Sequence, residues 1–256
     1  MKLLEVRNLK KEFDGVMAAD DLSFTINKGT IISLIGPNGA GKTTVFNILC
    51  GLCLPDSGET YLNGKQITNL PTHRIAKAGL GRTFQNIRVF PQITAMENLM
   101  LAAKTPTGES IFGALGRTGK VRNEETEAEK QALYYLDFFG LTEKKYQLAE
   151  NLSQGQRKLL ELARALATGA QLLLLDEPTA GVYPETRKKI LNLLRELRDQ
   201  GKTILFIEHD MKTVMGISEK VIVMNYGKKI AEGTPEEIKK NEQVIEAYLG
   251  RDNGSA

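Results

Sequence analysis

The apolar positions of this chain change their spacing along its length. Near the start they alternate with polar ones, at Leu4-Glu5-Val6 and through Leu22-Ser23-Phe24-Thr25-Ile26. A period of two is that of a strand with one covered face. Thr30-Ile31-Ile32-Ser33-Leu34-Ile35 is a short apolar run bounded by glycines and reads as a buried strand. The stretch 60–67 carries Asn63-Gly64, a pair that favours a type I′ hairpin turn. Farther on, Leu172-Leu173-Leu174-Leu175, Thr203-Ile204-Leu205-Phe206-Ile207 and Val221-Ile222-Val223-Met224 do not alternate. Strands covered on both faces look like this, so the pattern predicts an α/β fold, a parallel sheet flanked by helices. A helix over 186–199 lies between two of these strands and completes a βαβ unit.

The middle has a different texture. Residues 104–120 are rich in Gly and Thr with no clear period and read as an exposed loop. Residues 124–139 read as an amphipathic helix closed by Gly140. The expected organisation is an α/β core over 1–85 and 161–250, a helical subdomain over 86–160 inserted in it, and a frayed tail over 251–256.

Composition narrows the class without choosing a function. In 256 residues, 41% hydrophobic and 25% charged are enough for a real core and exclude disorder as the main state. The net charge of +3 is too mild to argue for nucleic acid, and none is expected as a partner. No apolar run approaches the roughly 18 residues of a membrane-spanning helix, and the start has no secretory apolar stretch. Two cysteines exclude a disulfide scaffold and fit a reducing cytosol.

Chemistry enters at Gly36-Pro37-Asn38-Gly39-Ala40-Gly41-Lys42-Thr43, followed by Thr44. This fits G-x-x-x-x-G-K-[ST], the P-loop pattern. Small residues let backbone N–H groups turn inward around phosphate oxygens at a helix N-terminus. Lys42 would neutralise the β and γ phosphates, and the Thr43 hydroxyl would ligate Mg²⁺. The bland alternative is an ordinary Gly-rich strand-to-helix turn. The run Leu172–Leu175 then ends in Asp176-Glu177. A buried strand ending in two carboxylates would set Asp176 near Mg²⁺ and Glu177 beside an attacking water as general base.

Asn151-Leu152-Ser153-Gln154-Gly155-Gln156-Arg157 resembles the L-S-G-G-Q signature of ABC-type ATPases. Phe84-Gln85 looks like that family's Q-loop, Glu208-His209-Asp210 like its switch histidine, and Phe13 matches the aromatic position that stacks on adenine. The motifs stand in family order over nearly the whole chain. The resemblance implies a P-loop ATPase core with an antiparallel β subdomain and an inserted helical subdomain. It implies ATP and Mg²⁺ as cofactors, with Thr43, Gln85 and Asp176 toward the metal and His209 beside Glu177 in catalysis. It places Ser153, Gly155 and Gln156 on the γ-phosphate held by a second ATPase subunit, in an ATP-dependent homo- or heterodimer. Ser153 and Gln156 also form an S-x-x-Q capping box, a local role that needs no ATP. Two positions depart from the family: Gln154 stands where most relatives have Gly, and Tyr183 of the D-loop, Ala180-Gly181-Val182-Tyr183-Pro184, where most have Asp. Cys50 and Cys53, beside Leu49, Leu52 and Leu54, read as buried small hydrophobes ahead of a redox or metal pair.

Arg82-Thr83-Phe84-Gln85-Asn86-Ile87-Arg88-Val89-Phe90 resembles the ATPase subunits of branched-chain (hydrophobic) amino acid importers, as do Ala231-Glu232-Gly233-Thr234-Pro235-Glu236-Glu237-Ile238 and Val244-Ile245-Glu246-Ala247-Tyr248-Leu249-Gly250. The long 104–130 stretch matches the longer of their two ATPase subunits. Permease membrane subunits are then the implied partners and the cytoplasmic face of the inner membrane the implied location. The apolar stretch after Gln85, Ile87, Val89, Phe90, Pro91 and Ile93, reads as the surface that docks on them, with Phe90, set before Pro91, as its contact to a permease helix. Urea or lipid cargo, and a soluble ABC ATPase with no transport role, stay open as alternatives.

Overall fold

The alternating N-terminal runs pair with one another and leave the continuous apolar strands to a separate sheet. In this computed structural model, which describes residues 1–85, 87–103 and 119–249, β1 (Lys2–Phe13) and β2 (Val16–Asn27) form a long antiparallel hairpin. β4 (Ser57–Leu62) and β5 (Lys65–Gln66) extend it to a four-stranded sheet in the order β2-β1-β4-β5. The turn between the last two has positive φ at Asn63 (51°) and Gly64 (77°), as a type I′ turn requires.

The second sheet has the order β10-β9-β3-β8-β7-β6. Its strands are β3 (Ile31–Ile35), β6 (Leu80–Arg82), β7 (Leu172–Asp176), β8 (Thr203–Ile207), β9 (Lys220–Asn225) and β10 (Lys228–Gly233). All neighbours are parallel except β9 and β10. Along each central strand, successive residues go to different cores. Ile31, Ile35, Leu173, Leu175, Ile204 and Phe206 join one apolar cluster; Ile32, Leu34, Leu172, Leu174, Leu205 and Ile207 join the other. Both faces are therefore covered, which is why these strands show no alternation in the sequence.

The helices are α1 (Lys42–Leu49), α2 (Thr72–Lys77), α3 (Ala95–Ala103), α4 (Gly119–Phe138), α5 (Gln154–Ala167), α6 (Pro184–Asp199), α7 (Met211–Ile217), α8 (Pro235–Lys239) and α9 (Glu242–Leu249). α1 and the β1/β2 sheet cover one face, through Val45, Phe46, Leu4 and Phe24. α3, α4 and α5 cover the other with Leu99, Leu136, Leu160 and Leu166. α5 runs unbroken through the expected boundary at 160.

α4 opens at Gly119 instead of 124 and ends at Phe138. Gly140 (φ 63°) closes it: its N–H donates to Asp137 O at 2.8 Å and Leu141 N–H to Leu136 O at 2.7 Å, a Schellman pair. α6 opens at Pro184 instead of 186, since proline fits the first helical position. Of the loop expected over 104–120, only Gly119 and Lys120 lie within the described residues, and both are helical; the tail 251–256 lies outside them. The cysteine reading holds for Cys50, which is buried, and needs correction for its surroundings. Cys53 is half-buried, while Leu52 and Leu54 are exposed, because the chain leaves α1 at Gly51 (φ 70°) and runs onto the surface. Both thiols are free, and burial pushes that of Cys50 up to about 11.

Candidate active site

The carboxyl ends of β3, β7 and β8 point to the same edge of the parallel sheet, so the loops that follow them meet there. After β3 the chain turns through Gly36 (φ 153°), Gly39 (79°) and Gly41 (100°) into α1. A Cβ at Gly36 would lie 2.1 Å from Met224 O, and one at Gly41 1.9 Å from Ala18 O. Only glycine lets this loop press against both β9 and β2. Pro37 and Ala40 are buried, Asn38, Gly39 and Thr43 are exposed, and Thr44 is half-buried. Lys42 is buried at the start of α1, with its ammonium donating to Gly36 O (2.7 Å) and Pro37 O (3.0 Å). The loop is thus closed over a buried cation, and its carbonyls hold that cation where an anion would enter. Phe13, at the end of the β1/β2 hairpin, is half exposed with Lys11 Nζ 5.0 Å above its ring.

β7 ends at Asp176, and Glu177 takes the left-handed conformation (φ 50°) that side-chain-bearing residues seldom adopt. Three hydrogen bonds hold it there. Glu177 N–H donates to Ile207 O (3.0 Å), and Glu177 O accepts from Ala180 N–H (3.2 Å) and from Lys158 Nζ (2.6 Å). The turn aims the Glu177 carboxylate at His209, whose Nε2 is 3.1 Å from Oε1. His209 follows β8 as Glu177 follows β7, and the parallel register Asp176↔Ile207 sets them side by side. Buried Glu208 accepts from Thr179 N–H (3.0 Å) and Thr179 Oγ (2.6 Å), which ties the two loops together.

Asp176 is buried, and its N–H donates to Thr83 Oγ (3.3 Å). Its carboxylate lies 3.5 Å from Arg82 Nη2. Burial raises its proton affinity above that of an ordinary carboxylate, and the Arg82 charge offsets part of this. Gln85 is exposed just past β6, the strand beside β7. Phe84 N–H and Arg88 N–H both donate to Glu161 Oε1, at 3.3 and 3.1 Å, so α5 holds this segment on either side of Gln85.

Ser153 and Gln156 form the expected capping box: Gln156 N–H donates to Ser153 Oγ (3.2 Å) and Ser153 N–H to Gln156 Oε1 (2.9 Å). The residues around them face α6 and its preceding turn. A Cβ on Gly155 would lie 2.9 Å from Thr186 Cγ2, and one on Gly181 2.8 Å from Gln154 Nε2. The two family departures therefore converge: Gln154 covers Gly181, two residues before Tyr183, which is 82% exposed at the N-cap of α6.

Sequence reading did not find Arg82, Lys158, Glu161 and Glu208 as organisers of this edge. The signal was present in Lys158-Leu159-Leu160-Glu161-Leu162, where two charges sit inside an apolar run, since buried charges need assigned partners. The donor set also fits Mg²⁺. It offers a hydroxyl (Thr43) and one buried carboxylate (Asp176), and no cluster of three or more His, Cys, Asp or Glu exists among the described residues. A cation held by one or two protein oxygens plus substrate phosphates is typical of Mg²⁺ rather than of a metal caged by protein.

Comparison with known proteins gives the same picture. Residues 19–180 match the family model of the ABC transporter, and residues 228–253 that of the branched-chain amino acid ATP-binding cassette transporter. The chain is 44% identical over 249 residues, 97% of its length and 98% of the relative's, to the high-affinity branched-chain amino acid transport ATP-binding protein LivG of Salmonella typhimurium. It is 43% identical to BraF of Pseudomonas aeruginosa, over 97% of this chain and 98% of BraF. A nucleotide-free ATP-binding cassette from an ABC transporter superposes with a TM-score of 0.83 at 36% identity, covering 97% of this chain and 99% of that one. A dimeric cassette in a post-hydrolysis state, bound to ADP and Pi, superposes with a TM-score of 0.74 at 28% identity, covering 91% of this chain and 99% of that one.

Proposed function

The chain belongs to the ATP-binding subunits of ABC transporters, and from that premise we propose that it powers the import of branched-chain amino acids. It is an ATPase. The observation that carries the cargo is identity of 43–44% over almost the full length of transport proteins with that substrate in their names. The C-terminal match, over β10, α8 and α9, adds to it.

In this reading the carboxyl edge of the parallel sheet binds Mg-ATP. Residues 36–44 cradle the phosphates, and Lys42 exchanges its two loop carbonyls for phosphate oxygens. Phe13 offers an exposed ring to adenine. Thr43, Asp176 and Gln85 would hold Mg²⁺, which when bound neutralises charge on the phosphate oxygens. Glu177 is the general base: its carboxylate accepts the proton of the attacking water, and His209 fixes its orientation through the 3.1 Å contact. Ser153, Gly155 and Gln156 complete the site of a second ATPase subunit, as an anion-accepting helix N-terminus allows.

We place the helical insertion, bounded by the sequence at 86–160 within an α/β core over 1–85 and 161–250 and joined to that core by the unbroken α5, against permease subunits on the cytoplasmic face of the inner membrane. No helix among the described residues is long and apolar enough to cross a membrane. The docking surface is a groove of about 620 Å³ lined by Phe84, Ile87, Val89, Phe90 and Arg164. Phe90 is half exposed there, with Arg164 stacked on its ring at 4.7 Å. Phe90→Ala should leave basal ATPase within about threefold while weakening permease binding about 30-fold, the loss of an aromatic anchor. Unchanged co-purification with permease would reject the groove. For cargo, the test is uptake by cells whose own branched-chain importer is deleted, carrying this chain and its permease. Labelled leucine should enter with the wild type and not with Lys42→Ala. Uptake of urea or lipid without leucine would overturn the assignment.

A further inference from the structure

Arg82 opens the segment that resembles branched-chain importer subunits, yet the function assigned above gives it no role of its own. The structure gives Arg82 several partners. Its Nη1 donates to Asn47 Oδ1 on α1 at 2.7 Å. Its guanidinium stacks 5.7 Å from the Phe46 ring and 4.8 Å from the Phe84 ring. Its Nη2 reaches Asp176 Oδ2 at 3.5 Å, with only 6% of either side chain exposed. Its Nε is buried without a hydrogen-bond partner.

These contacts are unequal. The bond to Asn47 is short, whereas that to Asp176 is at the limit of a hydrogen bond. Asn47 and the two rings hold the guanidinium whether or not Asp176 stays with it. Asp176 needs a positive charge, because a carboxylate out of water is costly when unpaired. We propose that Arg82 is a positioning residue that serves as the resident counter-ion of Asp176 and yields the carboxylate when a divalent cation takes it. The inference rests on the reading of Asp176 as a metal ligand.

Thr83 completes the arrangement. Its Oγ accepts from Asp176 N–H, so the backbone of Asp176 stays in place while its carboxylate changes partner. The charges facing Asp176 include Glu177 and Lys158, and Lys158 donates to Glu177 O. Arg82, bound to the carboxylate at 3.5 Å and anchored elsewhere, is the cation placed to exchange. A fixed positive charge beside a metal-binding carboxylate competes with the metal, so removing it strengthens metal binding.

The test is Mn²⁺ binding, followed by electron paramagnetic resonance with ADP present, so that no turnover is needed. Arg82→Gln should bind Mn²⁺ about tenfold more tightly than the wild type, since one positive charge next to the site is gone. Arg82→Lys, which keeps the charge, should stay near the wild type. Asp176→Asn should bind more weakly. Unchanged Mn²⁺ affinity in Asp176→Asn would reject the metal-ligand reading itself. Weaker binding there, together with unchanged or weaker binding in a cooperatively melting Arg82→Gln, would reject the counter-ion role alone. A second measurement uses the wild type only. The ¹⁵N guanidinium resonances of Arg82 should shift when Mg²⁺ is added to the ADP-bound protein, and a static signal overturns the exchange.

Discussion

The carboxyl edge of the parallel sheet and the N-terminal end of α5 carry the two halves of the proposed chemistry, and they are built differently. At the sheet edge the central groups are held from within the chain. Lys42 is buried over loop carbonyls, the P-loop glycines fit against Met224 O and Ala18 O, and three hydrogen bonds pin the backbone of Glu177. At the α5 end the side chains are open. Ser153 and Gln154 are exposed, Tyr183 is 82% exposed, and the Ser153 hydroxyl is engaged by its own helix in the capping box. In the proposed reading the first half lies within one protomer, and the second offers a helix N-terminus to an anion brought by another subunit. A solved cassette at 28% identity is dimeric.

The comparison breaks most sharply at Glu177. Glu177→Gln keeps the fold and the P-loop but cannot accept a proton. Steady-state hydrolysis should fall by roughly 10²–10⁴-fold, the contribution of a positioned base, while ATP binding by equilibrium titration stays near the wild type. Turnover within tenfold of the wild type would remove Glu177 from that role.

A smaller effect separates the two regions by stability. Gly41→Ala sets a Cβ 1.9 Å from the fixed Ala18 carbonyl at φ 100° and should cost about 2–4 kcal/mol in denaturant unfolding. Gly155→Ala first meets the Thr186 side chain, at 2.9 Å, and should cost about 1 kcal/mol. Equal costs would mean that the α5 end is as rigidly determined as the P-loop.

What could be read from the sequence follows the same line. The P-loop, the Leu172–Asp176 strand and the Asn63-Gly64 turn are local patterns in which neighbouring residues carry the whole signal, and the structure places them as expected. The capping box at Ser153 is local too. Arg82–Asp176, Lys158–Glu177 and Glu161–Phe84 join residues far apart in the chain, and no period announces them. The convergence of Gln154 and Gly181 is likewise a tertiary fact. Helix starts were misjudged where propensity is shallow, at Gly119 and Pro184, and helix ends were legible where glycine marks them, at Gly140.

Ser153→Ala sharpens the contrast at lower cost. It removes the cap acceptor for Gln156 N–H and should destabilise by about 1 kcal/mol. Nucleotide binding to the dilute protomer should not change, because the P-loop half is complete. Hydrolysis at high protein concentration should fall. A parallel loss of binding in the dilute protomer would place Ser153 in the site of its own chain.

The smallest effect lies between the two regions, at Glu161 of α5. Its carboxylate is buried, accepts Phe84 N–H and Arg88 N–H at Oε1, and leaves Oε2 without a hydrogen-bond partner. Burial raises its proton affinity; the two N–H groups and the charges of Lys158 and Arg164 oppose this without cancelling it. The folded protein therefore holds this proton to a higher pH than the unfolded chain does. As pH rises from the ordinary value of 4.5 through the raised one, the unfolded state loses the proton first and stability falls, to stay lower above that window. One group gives a slope of at most about 1.4 kcal/mol per pH unit. Glu161→Gln keeps a carbonyl for both N–H groups and has no proton to lose. Thermal melts of the two proteins should diverge from about pH 4.5 upward, with the wild type declining relative to the variant, while Asp176, shifted in the same direction, contributes equally to both. Parallel curves across that range would show that the Phe84 and Arg88 amides and the neighbouring cations balance burial in full, and that the charge at Glu161 is neutral to the fold.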